Sequence, residues 1–188
     1  MDEQEITKMT CTLVGTRPIM FDRYAGDNVT KLEPLDKIYL NEQDECCLPM
    51  LNVFSLLAAK NTPSVARHFY GKRGSEVGFG VMSFCNIEAV EDDDVLAARI
   101  RDSDGKVYRI DDPRIKIMGH VARLKGGLPN PKVRPMLPKG WTVKLSIELQ
   151  PNEIITEGTL RKMFEQGGTI GLGTFRPIFG RFRVLWTS

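Results

Sequence analysis

Long apolar runs, paired cysteines and histidines are what this 188-residue chain has least of. No apolar stretch approaches the roughly 18 residues of a membrane span, so no transmembrane helix and no membrane partner are expected. The first residues, Met1-Asp2-Glu3-Gln4-Glu5, are acidic, unlike the basic start of a secretory signal, and a cytoplasmic protein is expected. The four cysteines, Cys11, Cys46, Cys47 and Cys85, make no C-x-x-C pair, and the two histidines, His68 and His120, lie far apart. That spacing argues against zinc and for buried, reduced thiols. Asp22 and Asp111-Asp112 lack the spacing of a paired-carboxylate site, so neither metal nor cofactor is implied. No serine or cysteine sits in a nucleophile context. Catalytic groups are thin, and the chain does not read as an enzyme.

One further absence is positive information. Between Arg114 and Lys144 there is no Asp or Glu, yet there are eight Lys/Arg (Arg114, Lys116, Arg123, Lys125, Lys132, Arg134, Lys139, Lys144). The formal net charge of the whole chain is only +2, so positive charge is segregated rather than spread. A segregated basic stretch suits a polyanion. The short acidic run Glu91-Asp92-Asp93-Asp94 reads as a solvated loop.

The composition, 41% hydrophobic and 27% charged, is that of a globular protein, and at this length one domain can bury a core. Residues 7–16 alternate, with Met9, Cys11 and Leu13 on one face, which predicts a strand. Pro49 opens a helix in which Leu51, Phe54 and Ala58 follow helical spacing. A second helix is expected from Thr62 as N-cap to Gly71. Strands are expected over 79–87, 115–121, 141–149 and 181–186. A hairpin over 95–110 turns at Asp104-Gly105. Four prolines between 129 and 138 predict an irregular protruding finger. A helix opens at Ile155-Thr156 and is expected to end at Gly167-Gly168.

With the hairpin taken as an insertion, the order reduces to βαββαβ. The expectation is an α+β, ferredoxin-like or RRM-like single domain over 1–188, with an inserted hairpin over 90–112 and a basic finger over 123–139. The RNP1 pattern of RRM domains is absent, so no aromatic platform on the sheet face is expected.

The glycine-rich stretch Gly167-Gly168-Thr169-Ile170-Gly171-Leu172-Gly173-Thr174-Phe175-Arg176 lies between a helix and a strand. It therefore fits neither a phosphate loop nor a dinucleotide fingerprint, which place the phosphate on a helix N-terminus. It reads instead as a mobile turn whose glycines let backbone N–H groups approach a phosphodiester chain. Arg67, His68, Tyr70, Lys72 and Arg73 make a second basic cluster.

The segment 170–182, Ile-Gly-Leu-Gly-Thr-Phe-Arg-Pro-Ile-Phe-Gly-Arg-Phe, resembles the C-terminal signature of a family of small phage and prophage proteins. That family is similar to the RAMP superfamily, in particular to the repeating backbone subunit of CRISPR effector complexes. The lead from Arg134-Pro135 to Trp141 and the segment from Gly15 to Phe21 resemble it more weakly, and the middle of the chain does not match. The resemblance implies a modified RRM fold with an inserted subdomain and a thumb-like finger, assembling into helical filaments along single-stranded RNA or DNA. Carried over by position, Gly171, Gly173, Arg176 and Arg181 belong to its glycine-rich element and Lys125 to Arg134 to its finger. The chain is shorter than a typical backbone subunit, which favours a stand-alone relative.

The leading expectation is a non-catalytic single-stranded nucleic-acid-binding protein that forms homo-oligomers along its ligand. Its candidate binding residues are Arg17, Arg67, His68, Lys72, Arg73, Arg123, Lys125, Lys132, Arg134, Gly171, Gly173, Arg176 and Arg181. Two other readings stay open: a RAMP-type metal-independent endoribonuclease with His68 as acid or base, and a phage structural protein with no nucleic-acid ligand.

Overall fold

The computed structural model describes residues 5–92, 94–123, 126–127 and 129–187, with 122 and 123 described by backbone alone. The described residues form an α+β fold with antiparallel sheets and four α-helices. Alternation over β1 (Thr7–Gly15) buries Met9, Cys11 and Leu13 and leaves Thr10 and Thr12 half-exposed. β1 lies at the centre of a four-stranded sheet. It pairs on one side with β9 (Thr142–Leu149), which pairs in turn with β5 (Cys85–Ala89), and on the other with β10 (Phe182–Thr187). Every pairing is antiparallel. The helices cover the face that carries Leu13, Leu145 and Phe182, and the opposite face is polar, with Thr12 opposite Lys144 and Val14 opposite Arg183. That polar face carries no aromatic platform among the described residues.

Three short helices precede β5: α1 (Met50–Ala58), α2 (Val65–Phe69) and α3 (Gly74–Phe84). The inward side of α1 is Met50, Val53 and Leu57, not the expected Leu51, which is 72% exposed. α2 starts later than Thr62. Its cap is Ser64, whose hydroxyl accepts from Arg67 N and donates to Ala59 O. Residues 79–84, expected as strand, are the second half of α3. Its glycines allow the crossing: a Cβ on Gly80 would stand 2.9 Å from Ile154 Cγ2, and one on Gly78 3.2 Å from Ala58 O. α4 (Glu157–Ile170) is capped by Thr156, which accepts from Thr159 N, and runs through Gly167-Gly168 rather than ending there. A Cβ on Gly168 would collide with Phe182 O, so that glycine brings α4 onto β10. Among the described residues no helix is long and apolar enough to cross a membrane.

The expected irregular finger is a regular ribbon: β7 (Lys116–Arg123) pairs with β8 (Pro129–Leu137) along its whole length. Pro129, Pro131 and Pro135 all face the side away from β7, opposite Arg123, Val121 and Ile117. Proline has no N–H to donate, so spacing by even numbers of residues keeps all three off the ladder. Pro135 O accepts from Phe21 N (3.1 Å) on that outer side, where β2 (Ile19–Met20) joins β8. The third sheet joins β3 (Tyr39–Leu40), β4 (Cys46–Pro49) and β6 (Ala97–Arg99). Beyond β6 the expected turn at Asp104-Gly105 is present, closed by the bridge of Arg101 with Val107, while β6 itself pairs with β4 rather than with the returning arm. Within the acidic run Glu91 and Asp94 are exposed, as a solvated loop would have them, but Asp92 is not, and Asp93 lies outside the described residues. The Asp92 carboxylate is almost fully buried and binds Arg101 (3.0 Å) and Arg99.

The four thiols are free, in β1, β4 and β5. Burial pushes Cys11, Cys46 and Cys85 up to about 12 and Cys47 to about 11. Such groups act as small apolar side chains.

Candidate nucleic-acid interface

The C-terminal turn, 171–180, is braced rather than mobile. Leu172 is fully buried; its N–H donates to Gly180 O (3.0 Å), and Gly180 N donates to Pro18 O (2.7 Å). Thr174 N donates to Met20 O (2.8 Å). Gly173 and Gly180, both at positive φ, lie so close to Met20 O and Leu172 O that a Cβ would overlap them. A Cβ on Gly171 would stand 2.7 Å from Phe179 O. The glycines let this chain's own backbones approach one another, which corrects the expectation that Gly171 and Gly173 open a pliant loop to a phosphodiester.

The same bracing gathers basic residues from the two ends of the chain. Thr16 N (2.8 Å) and Arg17 N (3.2 Å) both donate to Arg181 O, which sets the exposed Arg17 and Arg181 side by side. Arg181 Nε donates to Pro177 O (2.8 Å), fixing the stem of its side chain over the turn. Arg176 lies in the same turn, half-buried, and donates from Nη1 to Gly171 O (3.2 Å). Burial holds its guanidinium below the ordinary arginine value.

The base of the ribbon docks beside this turn. Arg134 donates to the Asp22 carboxylate (2.6 Å) and lies 2.7 Å from His120 Nε2, and the His120 ring packs on Phe175 at 4.3 Å between centroids, tilted by 50°. Lys37 donates to Val133 O (2.8 Å) and stands 3.7 Å from Asp22. Desolvation first, and the Arg134 charge second, lower the His120 pKa. His120 therefore accepts from Arg134 as a neutral imidazole. Arg134 is only 8% exposed and ion-paired, so it anchors the finger and is not a surface cation. This corrects its expected place among the ligand contacts.

The other candidates divide between two places. Lys132 is half-buried on β8, opposite His120. Lys125 and the Arg123 side chain lie outside the described residues. Arg67, His68, Lys72 and Arg73 stand on the helical layer, exposed. There His68 Nδ1 is 3.1 Å from Ser64 O, and Arg73 pairs with Glu76 (3.1 Å). This second group borders an open depression of about 340 Å³ lined by Lys60, Arg67 and small residues. The long basic run is partly neutralised in three dimensions: Arg114 is held by Asp112 (2.7 Å) and Asp102 (2.8 Å), and Lys144 by Glu91 (3.1 Å). Charge segregated in sequence is thus not a bare basic face in space.

One cleft joins elements that no local pattern connects. It encloses about 230 Å³ between the β2 exit (Phe21, Asp22), β3 (Tyr39), α1 (Asn52, Ser55) and the C-terminal turn (Thr174, Arg176). Asp22 read in the sequence only as a weak metal candidate. Asn52 and Tyr39 carried no signal, because their meeting depends on tertiary docking.

The fold is similar to that of a chain in a solved assembly, described as the cryo-EM structure of the Type III-B Cmr-beta bound to cognate target RNA. The TM-score is 0.58 at 10% sequence identity, over 98% of this chain. The match spans 60% of that chain's length. No protein-family model matches the sequence, and no curated protein matches it. The likeness to that chain thus stands at the level of fold, without a sequence family.

Proposed function

We propose that the protein is a non-catalytic, single-stranded RNA-binding protein of RAMP type that oligomerises along its ligand. The observation that carries this is the convergence of the exposed Arg17 and Arg181, from opposite ends of the chain, on one braced turn beside the docked ribbon. Cations on a rigid backbone bind phosphates without first ordering a loop. The similarity in fold to a chain of an RNA-bound complex supports RNA as the ligand. We take the core as ferredoxin-like; in favour of that are the strand order β10-β1-β9-β5, the helices α1 to α3 before β5, and α4 after β9. In this proposal residues 1–188 form one domain, with 90–112 as an insertion and 123–139 as the finger. Ile117, Val121 and Val133 expose an apolar side of the ribbon, which supports contact between neighbouring copies on a strand.

A salt titration of oligonucleotide binding tests the proposal. Each neutralised phosphate adds about −0.7 to the slope of log affinity against log salt on a single strand. Substituting Arg17 and Arg181 together by Gln lowers both the affinity and the slope. An affinity that hardly changes between low and moderate salt ends the proposal. Strands longer than one site, examined by light scattering, carry several copies; one copy per strand at saturation removes the oligomer.

A further inference from the structure

We infer that the cleft between α1, β3, the β2 exit and the C-terminal turn binds a single guanine base. For a strand-borne base this rests on the proposed RNA binding; for a free nucleotide it stands alone. Three properties of the cleft carry it. The first is size: about 230 Å³ lies below the range of pockets for drug-sized ligands and suits one base.

The second is the supply of uncommitted polar groups. Among the described residues no side-chain hydrogen bond engages Tyr39, Asn52, Ser55 or Thr174. Arg176 has no carboxylate partner there, and its one bond, to Gly171 O, uses one of five donors. Groups from four separate segments thus face a common space with hydrogen bonds to give.

The third is the pairing of acceptor and donors, which selects the ligand. Asp22, its charge offset by Arg134 and Lys37, lines the cleft as an acceptor beside the Arg176 donors. A guanine meets both: its O6 and N7 accept from the guanidinium fork, and its ring N–H and amino group donate to a carboxylate or to the Asn52 amide oxygen. Adenine turns an amino donor towards the guanidinium in place of O6, and pyrimidines lack N7. Asp22 keeps lone pairs for this after its bond to Arg134. Tyr39 supplies a ring against which a base can stack.

The experiment uses the whole protein in two arms. Fluorescence anisotropy compares an oligouridine strand with the same strand carrying one guanosine. Calorimetry titrates guanosine 5′-monophosphate alone, with adenosine 5′-monophosphate as control. The guanosine strand binds about tenfold tighter, the discrimination that one good bidentate pair supplies. That ratio falls to about one in Asn52→Ala, a change that suits a helix, and in Arg176→Lys, which keeps the charge but loses the fork. Because the ratio is internal to each variant, a loss of folded protein does not mimic it. If the monophosphate binds in an Asn52-dependent way while no strand binds, the cleft stands and RNA binding falls. If strands bind equally with and without guanosine and the monophosphate does not bind, the cleft assignment is wrong while RNA binding survives. If neither strand nor monophosphate binds, both fail. A tenfold preference that persists in both variants also overturns the assignment.

Discussion

At the scale of single residues, the molecule spends its specialised side chains on holding the two chain ends together. Gly180 has positive φ, and the carbonyl of Leu172 fills the place of a Cβ. Gly180→Ala therefore costs on the order of 3 kcal/mol or more, read as a shift in the denaturant midpoint. Gly105→Ala, also at positive φ but facing open space, costs less. His120 gives a pH signature. Its pKa is lowered in the folded state, so the unfolded chain binds the extra proton first. The associated stability is fully present above the ordinary histidine value of about 6.5 and is lost as pH falls below it. Thermal scans from about pH 7 to about pH 5 show a falling midpoint, with a shallower fall in His120→Gln. An equal fall in both proteins removes His120 as the cause.

At the scale of elements, β9 and β1 were legible because one face is buried and the other is polar, which writes a period of two into the residue types. α3 was not. Residues 79–84 are apolar and carry little helical propensity, and the helix forms because Gly74, Gly78 and Gly80 let α2, α1 and Ile154 pass close by. The ribbon was misread for a different reason. Prolines exclude a ladder only where a donor is needed, and the parity that makes them harmless depends on the pairing partner. Parity also gives a test. Lys132→Pro removes an inward-facing donor opposite His120 and costs about 2 kcal/mol with loss of hydrogen-exchange protection in β7. Val133→Pro, one residue further on, leaves the ribbon protected.

At the scale of the whole molecule, the candidate site was legible as a charge class and not as a place. Arg17 lies beside Arg181 through the Arg181 carbonyl and Arg176 lies in the same turn, whereas Arg67 to Arg73 stand apart on the helical layer. Arg134 and Lys144 are neutralised by acids remote in sequence, Asp22 and Glu91, and Arg114 by Asp102 together with the neighbouring Asp112. Linear charge counts miss such pairings because the counter-ions arrive through the fold.

The placement of the thiols also makes the chain its own recorder of breathing motions. Cys11 is hydrogen-bonded into strands on both flanks, opposite Leu145 and Trp186, while Cys85 opens an outer strand and is partly accessible. Alkylating reagents attack only the thiolate, so each sulfur waits for its own strand to part. Timed labelling read by mass spectrometry marks Cys85 first and Cys11 last, and the interval between them measures how much more firmly the middle of the sheet is closed than its rim.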